Sequence, residues 1–264
     1  MRQIIVGYDG SSESRLALEW AADEARMSRT SLLVVAVHDE PPRGHPLREH
    51  ASAPGTDAED VAAHVCDGLL HDVVREHGNP AQRLVAHCSA DDLLVVGTRG
   101  RSPLVGSVLG SVSRACAHAA PCPVVVVREP ARKGAPVVVG VDGSEHARRA
   151  LLVAAEEARL RDVPLQAVNA VFWDPLGEEF AAPTLDELAG WGRRIVETEL
   201  ERTGVRAEPL VLPGHPSEVL VLASADATLL VVGSRGRNPI AGLLLGSTSD
   251  RCATHASCPT LIVR

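Results

Sequence analysis

Residues 95–111 read VVGTRGRSPLVGSVLGS, and residues 231–247 read VVGSRGRNPIAGLLLGS. Aligned without a gap, 11 of these 17 positions are identical, and both stretches have the form Gly-x2-Gly-x9-Gly-Ser. An apolar run, a glycine loop and a serine opening a helical pattern predict a strand–loop–helix unit. Such a unit brings backbone amides close enough to hold a phosphate.

The repetition extends outward from this loop. Residues 4–26 match residues 137–159 at an offset of 133. From Gly78 the match resumes at an offset of 136, and it ends with CPVVVVR (122–128) against CPTLIVR (258–264). A unit of this length exceeds a solenoid repeat and can bury its own core. Two domains are therefore expected, 1–130 and 135–264. The boundary is EPARKGAP (129–136), which carries two prolines and a glycine.

Within each copy, apolar runs alternate with helical patterns. In the first copy strands are expected at 3–8, 31–37, 69–76, 93–96 and 123–128. Helices are expected after Ser11 or Ser12, near 57–67, and over 80–88 and 111–119. LLHDVVRE (69–76) is ambiguous alone. Its repeat partner VRAEPLVL (205–212) contains Pro209 and favours a strand. Continuous runs such as LLVV and VVVV suit a parallel sheet covered on both faces. The fold class is α/β, with two similar doubly wound domains.

Composition narrows the functional classes. The chain is 45% hydrophobic and 23% charged, as in ordinary globular proteins. A net charge of −8 opposes non-specific binding to nucleic acid or anionic lipid. No apolar run reaches the roughly 20 residues of a membrane span, and MRQIIVGYDG lacks a signal-peptide pattern. Six cysteines in 264 residues do not make a disulfide framework. A cytoplasmic protein with reduced thiols is expected.

A doubly wound sheet binds ligands beyond the carboxyl ends of its strands, where the strand order reverses. If the first and fourth strands of each copy meet there, Gly7-Tyr8-Asp9 faces the loop starting at Gly97. In the second copy Gly140-Val141-Asp142 faces the loop starting at Gly233. An acidic residue opposite an anion loop suits a nucleotide, because the carboxylate accepts hydrogen bonds from ribose hydroxyls. Gly97 and Gly100 are expected to turn the chain and bring amides to the anion. Ser111 is expected to cap the next helix or bond a phosphate, with the amides of Val112 and Ser113 alongside. Gly246, Ser247, Thr248 and Ser249 repeat this arrangement. Arg99, Arg101, Arg235 and Arg237 add positive charge. The competing reading is that the glycines only make a turn and the arginines are solvated. No Gly-Lys-Ser/Thr sequence is present, so this is not a P-loop, and no Gly-x-Gly-x-x-Gly fingerprint follows the first strand.

The VGxDGS segment near each start, the Gly-x2-Gly-x9-Gly-Ser loop and the terminal CPVVVV-type strand resemble the universal stress protein family across both halves. The resemblance implies strand order 3-2-1-4-5 in each domain, as in adenine nucleotide alpha hydrolase-like folds. It implies pairing of the two halves as an intramolecular pseudo-dimer through the strands at 123–128 and 259–264. Members with the full glycine motif bind ATP, so the resemblance implies two ATP sites, with or without magnesium. By matched position it places Gly7, Tyr8 and Asp9 at adenine and ribose, and Val37 at the adenine edge. Val96, Gly97, Gly100, Gly110, Ser111, Val112 and Ser113 fall around ribose and phosphates. The matching second-copy positions are Gly140, Val141, Asp142, Ala170, Val232, Gly233, Gly236, Gly246, Ser247, Thr248 and Ser249. The first copy departs from the second by a shorter second helix and a His-rich loop at 41–55.

The resemblance also implies a nucleotide-dependent stress regulator acting on an unidentified protein partner, with further homodimerisation left open. The alternatives are a slow ATPase or phosphotransferase, and an interaction module with vestigial sites. Cys252, His255 and Cys258 invite a zinc reading. The first copy has Cys116, His118 and Cys122 at altered spacing, which favours small buried thiols and no metal. Glu156-Glu157 and Asp23-Glu24 are expected on a solvated helix face, and Trp173 near the second adenine site.

Overall fold

The computed structural model describes residues 3–38, 57–98, 109–172, 183–237 and 245–264. The chain divides into two units, Met1–Pro130 and Ala131–Arg264.

In the first unit, strand β1 (Ile4–Tyr8) leads through helix α1 (Ser12–Ser28) to β2 (Leu32–His38). Then come α2 (Ala58–Val65), β3 (His71–His77), α3 (Pro80–Ala86), β4 (Leu93–Gly97), α4 (Ser111–Ala119) and β5 (Val124–Val127). The strands are parallel in the order β3-β2-β1-β4-β5. Ile4 sits between Leu32 on one side and Leu93 on the other. The order reverses between β1 and β4, where α1 leads one way and the later crossovers the other.

The second unit repeats this plan. β6 (Val137–Gly140), α5 (Glu145–Arg161), β7 (Leu165–Val171) and α6 (Leu185–Thr203) come first. β8 (Glu208–Pro213), α7 (Pro216–Ala223), β9 (Leu229–Gly233), α8 (Ser247–His255) and β10 (Thr260–Val263) follow. The order is β8-β7-β6-β9-β10, again parallel, with Val137 paired to both Leu165 and Leu229.

Local chemistry explains the boundaries. The Ser11 side chain accepts from the Ser14 amide and Ser144 from the Ala147 amide, so each first helix starts at a side-chain cap. Each of these helices ends in a left-handed residue, Arg29 or Asp162. The third strands start later than expected. Leu32 pairs with His71, and Gln166 with Glu208, so the neighbouring strand sets where pairing begins. The outer strand β8 accommodates Pro209, which a central strand would not. Helix α3 stops at Ala86, short of the expected Cys88, because the His87 amide turns back to the Leu84 and Val85 carbonyls.

The central strands are fully buried, and Ala17, Leu18, Ala21, Ala22 and Ala25 of α1 pack on them. One expectation fails here. Glu24 and Glu157 are not solvated; both are 0% exposed. They lie on the same stripe as Ala21 and Ala154, three residues on, so the helix phase carries them inward. Glu157 forms an ion pair with Arg161, whose side chain is itself 8% exposed.

Candidate functional site

The second unit holds a cavity of about 680 Å³ beyond the carboxyl ends of β6, β7 and β9. That volume lies within the usual range for small-molecule sites. Gly140, Val141 and Asp142 enter it from the end of β6, and Ala170 from β7. Val232, Gly233 and Gly236 enter from β9 and its loop, and Gly246, Ser247, Thr248 and Ser249 from the start of α8. All eleven second-copy positions expected to hold a ligand therefore meet around one space.

The start of α8 faces the cavity without a side-chain cap. Gly246 occupies the cap position and, having no side chain, offers no cap to the first-turn amides. Ser247 is the first helical residue, so it does not cap the helix; neither does Ser111, which follows Gly110 in α4. Uncapped amides and the helix dipole make this end receptive to an anion. The Gly246 amide itself is committed, donating to the Ser234 carbonyl at 2.8 Å. The Ser249 hydroxyl donates to the Gly233 carbonyl at 2.7 Å. Arg235 and Arg237 line the same cavity and bring two cations to it.

Asp142 sits between the two ends. Its Oδ1 accepts from the Ser144 amide at 2.9 Å, and its Oδ2 from the Arg237 amide at 3.2 Å. The carboxylate is thereby fixed in place while keeping further lone pairs for a hydroxyl donor.

Gly97 and Gly233 also carry a packing constraint. Gly97 and Gly233 are not left-handed turn residues. A Cβ on Gly97 would stand 2.7 Å from the backbone carbonyl of Glu13, and one on Gly233 would stand 2.7 Å from the carbonyl carbon of His146. They let the first helix of each unit cross the end of the fourth strand at close range. Gly236 is pressed differently, with its Cβ position 2.9 Å from Asp142 Oδ2.

The first unit assembles the matching pieces. Gly7 and Tyr8 end β1, the strand neighbouring Val96 and Gly97 of β4, and Asp9 follows it. Val37 lies on β2, next to β1 on the other side. The Gly110 amide donates to the Thr98 carbonyl at 2.6 Å, bringing Ser111, Val112 and Ser113 against the end of β4. The Ser113 hydroxyl donates to the Gly97 carbonyl at 2.5 Å, so its proton is committed to the fold. The Tyr8 side chain is buried, and its hydroxyl donates to Asp57 Oδ2 at 3.2 Å. Burial first, then the Asp57 carboxylate, raises the phenol's pKa. Gly100, Arg99, Arg101, the loop 41–55 and Trp173 lie outside the described residues.

Residues 1–128 and 135–264 each match the universal stress protein family. The chain belongs to the universal stress protein family. One universal stress protein of Mycobacterium tuberculosis is 33% identical, over 99% of this chain and 96% of its own length. Another, of Mycobacterium bovis, is 31% identical over the same shares. Among solved structures, a universal stress protein of Archaeoglobus fulgidus superposes with a TM-score of 0.71 at 20% identity, covering 99% of this chain and 96% of that one. At that identity the likeness speaks for the fold.

The second universal stress protein domain also shows a wall that the glycine motif does not announce. Phe172, Leu188, Trp191 and Ile195 line the cavity from the end of β7 and from α6. Helix α6 lies over β7 and β8 because Gly192 has no side chain. A Cβ there would stand 2.6 Å from Asn169 Oδ1 and from Val211. The i, i+3, i+4, i+7 spacing of Leu188, Trp191, Gly192 and Ile195 was the available signal. The thiols considered for zinc are buried, Cys252 at 0% and Cys258 at 1% exposure, while His255 is exposed. Among the described residues no helix is long and apolar enough to cross a membrane.

Proposed function

We propose that the chain binds ATP, at one site per domain, and acts as a nucleotide-dependent regulator rather than a fast enzyme. The observation that carries this reading is the second-domain cavity, where an uncapped helix start, two arginines and a fixed carboxylate line one space. Phosphates suit the amides of Thr248 and Ser249 and the charges of Arg235 and Arg237. A ribose hydroxyl suits Asp142.

The bonds of Asp142 support holding over hydrolysis. Phosphoryl transfer needs a group that orients water or a hydroxyl at the γ-phosphate. Asp142 is instead tied to the Ser144 and Arg237 amides. Magnesium, if it accompanies ATP, is expected to be held by the phosphates and water. Among the described residues no cluster of three His, Cys, Asp or Glu side chains is disposed to bind a metal.

Regulation follows if ATP favours one arrangement of the α8 start, and by repetition of α4. A ligand shifts such a balance only by its differential affinity for the two states. The test is thermal unfolding with and without ATP. Ligand at 100 times its Kd adds about 2.7 kcal/mol of stability. The wild-type chain is expected to be stabilised, with a reduced gain for Gly246→Val. Equal melting with and without millimolar ATP in the wild-type chain would remove the proposal.

A further inference from the structure

The chain holds only six aromatic residues of the Phe, Trp and Tyr kind, and four of them (Phe172, Trp173, Phe180 and Trp191) fall between residues 172 and 191. None occurs between residues 21 and 171. This cluster spans the end of β7 to the early part of α6. Its two described members, Phe172 and Trp191, both line the second-domain cavity.

Both rings are left open to solvent, Phe172 at 56% and Trp191 at 47% exposure. The Phe172 ring stands edge-to-face against the His215 imidazole, with centroids 5.7 Å apart and planes 63° apart. Large rings half-exposed inside a concave site leave apolar area that a bound planar group would cover.

The position of the rings matters. β7 and β9 flank β6, so the two ends of the cavity are two strand spacings apart, roughly 10 Å. The aromatic end lies at β7 and α6, and the anion-receptive end at β9 and α8. Asp142, just beyond the end of β6, lies between them. This sequence of aromatic surface, carboxylate, and amides with cations matches base, sugar and phosphate in order.

We infer that Trp191 and Phe172 form a stacking wall for a planar heterocycle and determine the second domain's selectivity for its ligand. The inference rests on the nucleotide reading of the same site. The positions of Phe172 and Trp191 have no aromatic match in the sequence of the first domain, which instead carries Tyr8 where the second has Val141. The first domain's helix α2 (AEDVAAHV) carries no aromatic residue, and Asp39 stands at the position matching Phe172. The two domains therefore differ in the base-facing chemistry of their sites, while sharing the glycine motif. The second domain discriminates for the heterocycle through these two rings, which the first domain lacks at the matching positions.

The test uses the full-length chain, with ATP and inorganic tripolyphosphate as probes. Calorimetry gives affinity, and tryptophan emission reports stacking. For the wild-type chain, ATP is expected to quench tryptophan emission and tripolyphosphate is not. Trp191→Leu is expected to weaken second-domain ATP binding about tenfold, in line with base–aromatic stacking, and to leave tripolyphosphate binding unchanged. Trp191→Phe is expected to restore most of the loss. Phe172→Leu, at a second exposed position, is expected to act in the same direction. Gly246→Val marks which binding event belongs to this domain. If that event persists in Trp191→Leu and Phe172→Leu with unchanged ATP affinity, the stacking wall is refuted while the nucleotide reading stands. If the wild-type chain binds no ATP at all, both fall.

Discussion

The hydroxyl of Ser249 donates a 2.7 Å hydrogen bond to the carbonyl oxygen of Gly233, tying the first turn of α8 to the last residue of β9. Ser113 and Gly97 make the same bond in the first domain, at 2.5 Å. The fold thus commits the hydroxyl proton of one serine in each domain to holding the helix start against the strand end. Ser249→Ala is expected to cost about 1–2 kcal/mol of stability by leaving a carbonyl without its donor. ATP affinity is also expected to fall, as the α8 start loosens. Chemical denaturation and ATP titration of the same variant check both effects. Unchanged stability would show that the bond does not hold the loop.

Two glycines of one motif should fail in different ways. At Gly233 any side chain meets the backbone of His146, so Gly233→Ala is expected to destabilise by about 1–3 kcal/mol through overpacking. At Gly246 the nearest atoms to a Cβ among the described residues lie 3.5 Å away and φ is −76°, an ordinary value. Gly246→Val is therefore expected to fold with little loss of stability and to obstruct the amides at the helix start. Paired melting and binding curves separate the two outcomes.

How much was legible in the sequence follows from these positions. The repeat showed both loops and the order of elements, because duplication preserves spacing, and the family resemblance named eleven second-domain positions that line the cavity beside others it did not name. The work of Gly97 and Gly233 was not legible. A missing side chain looks alike whether it permits a turn or a close crossing, and only the approach of Glu13 or His146 tells them apart. The burial of Glu24 and Glu157 was missed because acidic residues are usually solvated. The helical stripe through Ala21 and Ala154 already pointed inward, and Arg161, four residues beyond Glu157, was the visible sign of a partner. The aromatic lining of the cavity was not legible because helical spacing alone does not tell a ring at a cavity from one in the core.

The Glu157–Arg161 pair should matter for stability. Both side chains are buried, at 1% and 8% exposure. Arg161→Leu is expected to cost about 3 kcal/mol, since it removes the opposite charge from a buried ion pair. Exposed pairs such as Arg159–Glu156, at 68% and 51% exposure, are expected to be worth about 0.5 kcal/mol or less. Urea denaturation of Arg161→Leu and Arg159→Leu gives the comparison. Equal costs would contradict it.

Burial pushes the thiols of Cys116, Cys252 and Cys258 up to about 12, from an ordinary 9.0. In the unfolded chain these thiols ionise near 9, while in the folded chain they stay protonated. Their contribution to stability is thus fully present below pH 9 and is lost as pH rises from about 9 towards 12. The melting temperature is expected to fall across that window, and less steeply in a Cys116→Ala, Cys252→Ala double variant. Iodoacetamide at pH 8 should leave these three thiols unmodified until the chain unfolds.

The central claim is that the second-domain cavity holds a nucleotide. Isothermal titration of ATP into the wild-type chain and into Gly246→Val tests it most directly. The account predicts saturable binding by the wild-type chain, with one binding event per chain lost in Gly246→Val while the variant melts like the wild type. Identical isotherms for the two chains, or no ATP binding by a folded wild-type chain, would contradict it.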